Sequence, residues 1–177
     1  LAFQIGSEVS TTELASQLSI DVKTVGYYLD LLQKSFVLFP LYGFSRNLRN
    51  EINKMNKYYF YDVGIRNALI SNFNKLEDRN DIGQLWENFI LAERIKHNEY
   101  KKINANYYFW RTYEQQEIDF IEEKGGNLYG YEFKWKKNDS KSPKLWLETY
   151  KNASYQEINK ENYFEFVLSQ SKKENSK

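Results

Sequence analysis

The chain opens with two short apolar stripes at helical spacing. Ser10 and Glu13 form a capping-box pattern that predicts the start of one helix, and Asp21 caps a second. The apolar positions of the second helix recur three and four residues apart, at Val22, Val25, Leu29 and Leu32. An extended apolar stretch over 36–42, cut by Pro40, follows. Two helices followed by a strand predict a winged helix-turn-helix.

A strand-like aromatic run and a polar stretch separate the two halves of the chain. Residues 58–61 predict a strand, and residues 62–64 turn it into a short helix that ends at Ile70. Residues 72–81 are polar and unpatterned, which predicts a loop between two units. We therefore expect a winged helix-turn-helix with its connecting strand and helix over 1–71, a second domain over 72–170 and a disordered tail over 171–177.

The second half predicts a compact alternation of helices and strands. Gly125 and Gly126 accept the positive φ angles of a hairpin turn, and Ser142 with Pro143 predicts the start of a helix. The predicted elements are a helix over 82–95, strands over 106–111, 117–122 and 128–135, a helix over 143–153 and a strand over 163–168. This order predicts an α/β (α+β) fold whose second domain has the order αβββαβ.

Composition narrows the class of protein. The 177 residues include 25 Lys+Arg and 24 Asp+Glu, so nucleic-acid binding must come from local clusters rather than from net charge. The absence of Cys and the single His97 exclude a disulfide scaffold, a thiol nucleophile and a two-histidine metal site. No apolar run approaches the roughly 20 residues of a membrane helix, so we expect a cytoplasmic protein without a membrane partner. The chain begins with Leu rather than Met, which we expect of a piece of a longer protein.

Carboxylates and a lysine on neighbouring predicted strands are the candidates for chemistry. Asp119 lies in the second strand, and Glu132 and Lys134 share one face of the third. Glu87, on the preceding helix, adds a carboxylate at the edge of the apolar face. An Asp and a Glu in one site can hold a divalent cation, and a nearby Lys can orient the attacking water. The alternative of an inert surface ion pair, worth ~0 to 1 kcal/mol, stays open.

Local basic and aromatic positions are the candidates for nucleic-acid contact. The outward side of the second helix carries lysines but also Asp30, so a helical module that only packs is an equal alternative. Two further basic segments, over 46–57 and 134–144, can hold phosphates without reading bases, although a solvated basic loop is the commoner explanation. The candidate residues are Lys23, Thr24, Tyr27, Arg46, Arg49, Lys136 and Lys137.

Five stretches, in order, resemble a known family. They are LA at 14–15 and TV at 24–25 with YLDLL at 28–32, YFYDVG at 59–64, GQLWENF at 83–89, YFWRT at 108–112, and EIDF at 117–120 leading to EFK at 132–134. The last stretch, after a helix that bears Glu87, resembles the PD-(D/E)XK nuclease signature, with Ile118 in place of the proline. Nearly all of 1–170 resembles the uncharacterised C-terminal region that follows the ATPase domain in many bacterial and archaeal AAA-type ATPases.

The resemblance implies a winged helix followed by a restriction-endonuclease-like domain. The catalytic set that it implies is Glu87, Asp119, Glu132 and Lys134. In that set the three acids hold Mg²⁺ or Mn²⁺ if the site is active, and Lys134 positions the water. The resemblance also implies an ATPase domain before residue 1, and ATP would bind only there because this chain has no G-x-x-x-x-G-K-[ST] loop.

Two functions are consistent with these features. The first is a C-terminal DNA- or partner-binding region of an AAA-type ATPase, with a nuclease-like fold of vestigial activity. The alternative is a Mg-dependent DNA endonuclease or exonuclease module that cleaves phosphodiester bonds through the four implied residues. The sequence alone favours the first function slightly, and it leaves the oligomeric state open.

Overall fold

The computed structural model describes residues 1–46, 55–114, 116–137 and 143–168. Its helices are α1 (Thr11–Leu18), α2 (Val22–Lys34), α3 (Val63–Leu69), α4 (Ile82–Tyr100), α5 (Lys144–Thr149) and α6 (Tyr163–Leu168), with a 3-10 turn over Leu76–Asp78. Its strands are β1 (Glu8–Val9), β2 (Leu38–Gly43), β3 (Asn56–Phe60), β4 (Asn106–Arg111), β5 (Glu117–Lys124), β6 (Asn127–Phe133) and β7 (Ala153–Ile158). Within these ranges no helix is long and apolar enough to cross a membrane.

Side-chain caps start the first two helices, whose prediction is confirmed. Ser10 Oγ accepts a hydrogen bond from the Glu13 N–H (3.2 Å), and Asp21 Oδ1 accepts one from the Thr24 N–H (3.0 Å). Each bond satisfies one of the backbone donors that a helix leaves unpaired at its first turn. The buried positions of this pair of helices are Ala15, Val25 and Leu29.

One seven-stranded sheet runs through the chain in the order β1-β3-β2-β4-β5-β6-β7. The pairs β2·β4 and β6·β7 are parallel, and the other neighbours are antiparallel. Two register pairs, Tyr42↔Tyr108 and Gly43↔Phe109, join the strands of the first half to those of the second. The fold is therefore mixed α/β, as predicted, and both predicted domains contribute strands to the same sheet.

Aromatic and aliphatic side chains fill the space on both faces of the sheet. On one face α4 and α6 pack against β2 to β7, and the largest core cluster includes Leu41, Tyr59, Ile90, Phe109 and Phe120. On the other face α5 packs through Trp146 against Trp110 and Ile118. A smaller cluster holds α1 and α2 against β1 and β3. The core thus places α4 directly over the strands that carry the candidate acids.

Strand β2 runs unbroken through Pro40, where the sequence predicted a break. The Tyr61 N–H donates to the Val37 carbonyl (3.2 Å), so the odd positions of β2 direct their backbone polar groups toward β3. Pro40 is an even position, and its nitrogen faces the side on which β4 pairs only with Tyr42 and Gly43. The proline therefore removes no ladder hydrogen bond, which is the condition under which a strand tolerates it.

The last two described elements differ from the predicted ones. Residues 163–168 form α6 rather than a strand, and the last strand is β7, which begins where the predicted helix was to end. The aromatic composition of 163–168 favours a strand, but the Phe166 ring packs on the rings of Tyr131 (centroids 4.6 Å apart) and Phe133 (5.8 Å). Packing of this kind overrides local propensity. The predicted tail over 171–177 lies outside the described residues.

Candidate acid–lysine site

Strands β5 and β6 separate at the point where the candidate acids begin. Their register ends at Phe120↔Tyr131, although β5 begins at Glu117 and β6 continues to Phe133. In the gap, Asp119 Oδ2 accepts a hydrogen bond from the Phe133 N–H (2.8 Å). A carboxylate thus replaces the backbone partner that a continued ladder would supply. The separation of the strands is what directs Asp119 toward β6.

The end of β6 supplies a paired acid and base. Lys134 Nζ lies 2.6 Å from Glu132 Oε1, and the Glu132 side chain is more buried than that of Lys134. Across the parallel β6·β7 pair, Glu132 stands opposite Glu157. Glu157 accepts a hydrogen bond from Asn159 Nδ2 (3.3 Å). The sequence prediction missed Glu157, because it placed the last strand ten residues too late; a correct β7 would have put it beside Glu132.

Helix α4 brings Glu87 to the site from above the sheet. The Tyr59 hydroxyl, which is fully buried on β3, donates to Glu87 Oε1 (2.5 Å). The backbone of Gly6 lies against the same carboxylate, because a Cβ built on Gly6 would stand 3.2 Å from Oε1 and 3.3 Å from Oε2. Gly6 has φ +76°, a conformation that favours glycine. The N-terminal segment therefore covers the Glu87 carboxylate, which is also hydrogen-bonded to Tyr59 of the sheet.

A buried lysine from the first half of the chain completes the cluster. Lys57 on β3 is 3% exposed, and its Nζ donates to Glu117 Oε1 (2.5 Å). The same ammonium lies over the Phe109 ring, 5.1 Å from the centroid. The sequence prediction counted Lys57 among phosphate-binding cations of the segment 46–57, and its burial corrects this. The sequence did contain a signal for this burial: Lys57 and Tyr59 are two residues apart, and strand periodicity puts both on the same face of β3.

These side chains act on one another electrostatically. The pKa of Asp119 is raised well above its ordinary value by burial and then by the charges of Glu87 and Glu132, against which Lys57 and the Phe133 N–H act. Burial also raises the pKa of Glu87, which Lys57 and the Tyr59 hydroxyl counteract. The structure therefore brings the predicted Glu87, Asp119, Glu132 and Lys134 into one cluster. We call these four residues, with Lys57, Tyr59 and Glu117, the acid–lysine site.

The donor set does not fit a divalent cation in the described arrangement. Over the ranges that the structure describes, no three carboxylate or histidine side chains are grouped closely enough to hold one metal ion. One oxygen of each predicted ligand already has a partner: Tyr59 for Glu87, the Phe133 N–H for Asp119 and Lys134 for Glu132. The lysines take the place that a cation would have in balancing these charges. The metal-binding role of the three acids stays a prediction.

The predicted nucleic-acid contacts are dispersed, and several are engaged within the chain. Arg46 pairs with Glu123, and Thr24 Oγ1 donates to Asp21 Oδ2 (2.5 Å). Lys23, Tyr27, Lys136 and Lys137 are exposed, and Arg49 lies outside the described residues.

The exposed side of α2 is apolar rather than basic. Tyr27 is 63% exposed and packs edge-to-face on Tyr28 (5.7 Å between centroids). Lys34 pairs with Asp30, so this side of α2 keeps little uncompensated positive charge. Phosphate binding depends on such charge. The exposed side of α2 therefore offers more apolar surface than uncompensated positive charge.

An apolar groove lies between the α1–α2 pair, α3 and the N-terminal segment. Its volume is about 680 Å³. Leu18 and Leu69 both line it, and each is more than 60% exposed. The lining includes Leu1, Phe3, Leu14, Leu18, Tyr28 and Leu69. Exposed apolar concavities of this kind are typical of binding surfaces in general.

Two family models match the chain. A model described as a domain of unknown function, DUF8612, matches residues 1–76, which hold the groove and Lys57. A second, also described as a domain of unknown function, DUF4143, matches residues 82–175, more than half of the chain. The chain belongs to the DUF4143 family. Its candidate acids all lie in the DUF4143 match, so the acid–lysine site is formed by residues of both matches.

Two curated relatives of this DUF4143 chain are uncharacterised mycobacterial proteins. One is from Mycobacterium tuberculosis (strain ATCC 25618 / H37Rv) and the other from Mycobacterium bovis (strain ATCC BAA-935 / AF2122/97). Each is 31% identical over 137 residues, which is 76% of this chain and 30% of the relative. The match thus spans less than a third of the relatives' length. No solved structure matches the chain.

Proposed function

We propose that this chain is a partner-binding region of a longer AAA-type ATPase, with a nuclease-like domain whose site is closed. In this proposal α1, α2 and the β2–β3 pair form a winged helix, and the elements from α4 to β7 form a restriction-endonuclease-like core. The element order α4-β4-β5-β6-α5-β7 supports the second assignment. The partner is the ATPase part of the same polypeptide, and the length of the relatives outside the match leaves room for it.

The observation that carries the proposal is the apolar surface of the α1–α2 pair. A groove of about 680 Å³ opens there, beside the exposed Tyr27 and Tyr28. Apolar patches of this kind cost solvation free energy in an isolated protein and are typical of surfaces that dock on a partner. The paired Lys34 and Asp30 make a protein partner a better fit to α2 than a DNA duplex.

The closure of the acid–lysine site supports vestigial chemistry. Lys57 and Lys134 compensate its acids, and the backbone of Gly6 covers Glu87. A site that has to activate water at a metal needs an open coordination position. In the described arrangement the carboxylate oxygens face lysines, a tyrosine and backbone instead.

Docking is tested by co-expression of this chain with the ATPase part of its full-length polypeptide as a separate, tagged chain. We expect the two to co-purify and Leu18→Lys, in the groove, to abolish capture. Leu147→Lys, an exposed leucine on α5, is the matched control and should leave capture intact. Equal capture of both variants would contradict docking through the groove. The DNA-binding version of the proposal is tested separately, by the fluorescence anisotropy of a labelled DNA duplex at low salt. That version requires binding that weakens as the salt concentration rises.

A metal-dependent nuclease is the second candidate, and the separation of β5 from β6 favours it. The gap places Asp119 beside the end of β6, which carries Glu132, and Lys134 lies 2.6 Å from Glu132. This candidate requires Glu87, Asp119 and Glu132 to leave their present partners and hold Mg²⁺ or Mn²⁺, which would supply an activated water. Lys134 would then leave Glu132 and balance the phosphate charge.

Plasmid cleavage in Mg²⁺ and in Mn²⁺ tests the second candidate. The nuclease proposal expects cleavage that Asp119→Asn abolishes and that Asp78→Asn, in the exposed 3-10 turn, leaves unchanged. The binding proposal expects no cleavage by any of the three proteins. Cleavage that survives Asp119→Asn would point to a contaminant or to another site.

A further inference from the structure

The N-terminal segment 1–9, which we call the strap, connects the apolar groove to the acid–lysine site. Its first residues, Leu1 and Phe3, line the groove. The Ala2 carbonyl accepts a hydrogen bond from Arg66 Nε of α3 (2.9 Å). Three residues later Ile5 is buried against Leu38 and Phe60 of the sheet. One short piece of chain therefore touches both features.

The second half of the strap lies directly on Glu87. Gly6 approaches the carboxylate so closely that an added Cβ would stand 3.2 Å from Oε1 and 3.3 Å from Oε2. Glu8 then pairs with Lys57 in the β1·β3 register, which places it beside the site's buried cation. The strap is thus the cover of the acid–lysine site on the side of α4.

The polar contacts of the strap beside the acid–lysine site are weak, whereas Ile5 and Val9 are buried in core clusters. Strand β1 has two residues, Glu8 and Val9, and two register pairs with β3. Glu8 Oε2 lies 3.4 Å from Arg111 Nη1, which is long for an ion pair. Glu8 Oε1 is buried and has no hydrogen-bond partner in the described part of the chain. A buried carboxylate oxygen without a partner favours the states in which it reaches water.

We propose that the strap is a two-state cover of the acid–lysine site, which is held in place when a partner occupies the apolar groove. Leu1 and Phe3 line the open groove, so an occupant contacts them only while the strap is in place. Withdrawal of the strap carries Gly6 away from Glu87. Such a segment couples two sites because both bias the same equilibrium. The identity of the occupant rests on the proposed docking function, whereas the cover over Glu87 does not.

Residue-resolved labelling of carboxylates tests the cover. A water-soluble carbodiimide with an amine is applied to the purified chain, and peptide mass spectrometry gives the labelling rate of each acid. Gly6→Ala places a Cβ against Glu87, whereas Gly126→Ala imposes the same backbone strain (φ +79° against +76°) with nothing within 4 Å. We expect several-fold faster labelling of Glu87 in Gly6→Ala than in Gly126→Ala or the wild type. Equal rates in the two variants would overturn the cover.

Glu122 is the internal control for unfolding, because it is fully buried and paired with Arg94. If the labelling of Glu122 becomes faster together with that of Glu87, Gly6→Ala has unfolded the chain, and a disulfide that fixes β1 to β3 tests the cover instead. Val9→Cys with Asn56→Cys joins Cα partners of β1 and β3, in a chain that has no other cysteine. Oxidation should slow the labelling of Glu87 relative to the reduced form. An unchanged rate would overturn the proposal.

The link to the groove is tested with the apolar dye 8-anilino-1-naphthalenesulfonate as the occupant. Saturating dye should slow the labelling of Glu87 in the wild type, and Leu18→Glu, which puts a charge in the groove, should remove both dye binding and its effect. Unchanged labelling under saturating dye would overturn the link. Neither result depends on capture of the ATPase part, so failure of the link and failure of the docking function are distinguishable.

Discussion

Lys57 is the residue on which the acid–lysine site depends most. It is 3% exposed, and the acids that act on its charge are Glu87, Glu117 and Asp119. These acids raise the pKa of Lys57 against the effect of burial. One lysine therefore stabilises several carboxylates that would otherwise repel one another across the same small space.

We expect Lys57→Met to lower the free energy of unfolding by about 3 kcal/mol, because it leaves buried carboxylates without their counter-charge. Urea unfolding followed by circular dichroism measures the change. Lys96→Met is the matched control, since Lys96 pairs with Glu93 on the exposed side of α4, where such pairs are worth about 0.5 kcal/mol. A loss no larger than the control's would show that Lys57 does not compensate the acids. Adding Asp119→Asn to Lys57→Met should recover part of the loss.

The sequence predicted Asp119, Glu132 and Lys134 but not the buried cation Lys57. Asp119, Glu132 and Lys134 come from a strand pair close in sequence, so strand periodicity was enough to bring them together. Lys57 reaches Glu117 from β3, 60 positions earlier, through strands that are not adjacent in sequence. Nothing local in the sequence specifies the order of strands in the sheet, so the partner of Glu117 was not predictable from spacing.

At the scale of elements, caps decide where the helices begin. Asp21 accepts hydrogen bonds from both the Thr24 N–H and the Thr24 hydroxyl. We expect Asp21→Ala to lower the stability measured by urea unfolding, because it removes the side-chain acceptor at the N-cap. Asp30→Ala on the same helix removes only an exposed pair with Lys34 and should cost less than half as much. Similar costs for the two substitutions would mean that the cap does not hold the start of α2.

Asp81, at the start of α4, forms ion pairs with two arginines that precede this helix. It pairs with Arg66 of α3 and with Arg79, whose Nε lies 2.8 Å from Asp81 Oδ1. These hydrogen bonds, that from Arg79 foremost, lower the pKa of Asp81 from 3.8 to about 2. Because the folded-state pKa is the lower one, this ionised carboxylate stabilises the fold above pH 4, and the contribution is lost as pH falls from about 4 to about 2.

We expect Asp81→Asn to destabilise the chain by about 2 kcal/mol at pH 6, and the difference from the wild type to vanish by about pH 2. Urea unfolding at a series of pH values measures it. Asp78→Asn, three residues earlier and exposed, is the matched control. A difference between wild type and Asp81→Asn that stays constant from pH 6 to pH 2 would refute the role of the ionised carboxylate.

The elements that sequence predicted best are those whose own pattern is strong. α1, α2 and the strands β4 to β6 carry clear caps, stripes or turn glycines, and they lie where the sequence predicted them. α6 and β7 were mispredicted because α6 has the aromatic composition of a strand, whereas β7 is a polar edge strand. Their structure depends on contacts with α4 and β6, which no local window contains.

At the scale of the molecule, the two family matches share one core. The largest cluster joins Leu41 and Tyr59 of the first match to Ile90, Phe109 and Phe120 of the second. The sheet is also continuous, since β2 pairs with β4. Cutting the chain between the matches would expose this cluster and two unpaired strand edges. The sequence predicted two units, and the physical reason that they depend on each other is this shared burial of apolar surface.

We therefore expect scanning calorimetry to show one unfolding transition for the chain. Val25→Ala, in the cluster beneath α1 and α2, and Phe120→Leu, in the shared core, should both lower the temperature of that transition without splitting it, by several degrees each. A polypeptide of residues 82–177 alone should lack a cooperative transition, because β4 loses its partner β2 and the core loses Leu41 and Tyr59. Two separate transitions, or cooperative unfolding of that polypeptide, would mean that each half is stable by itself. The acid–lysine site would then survive in the second half without Lys57, and its charge balance would have to come from Lys134 alone.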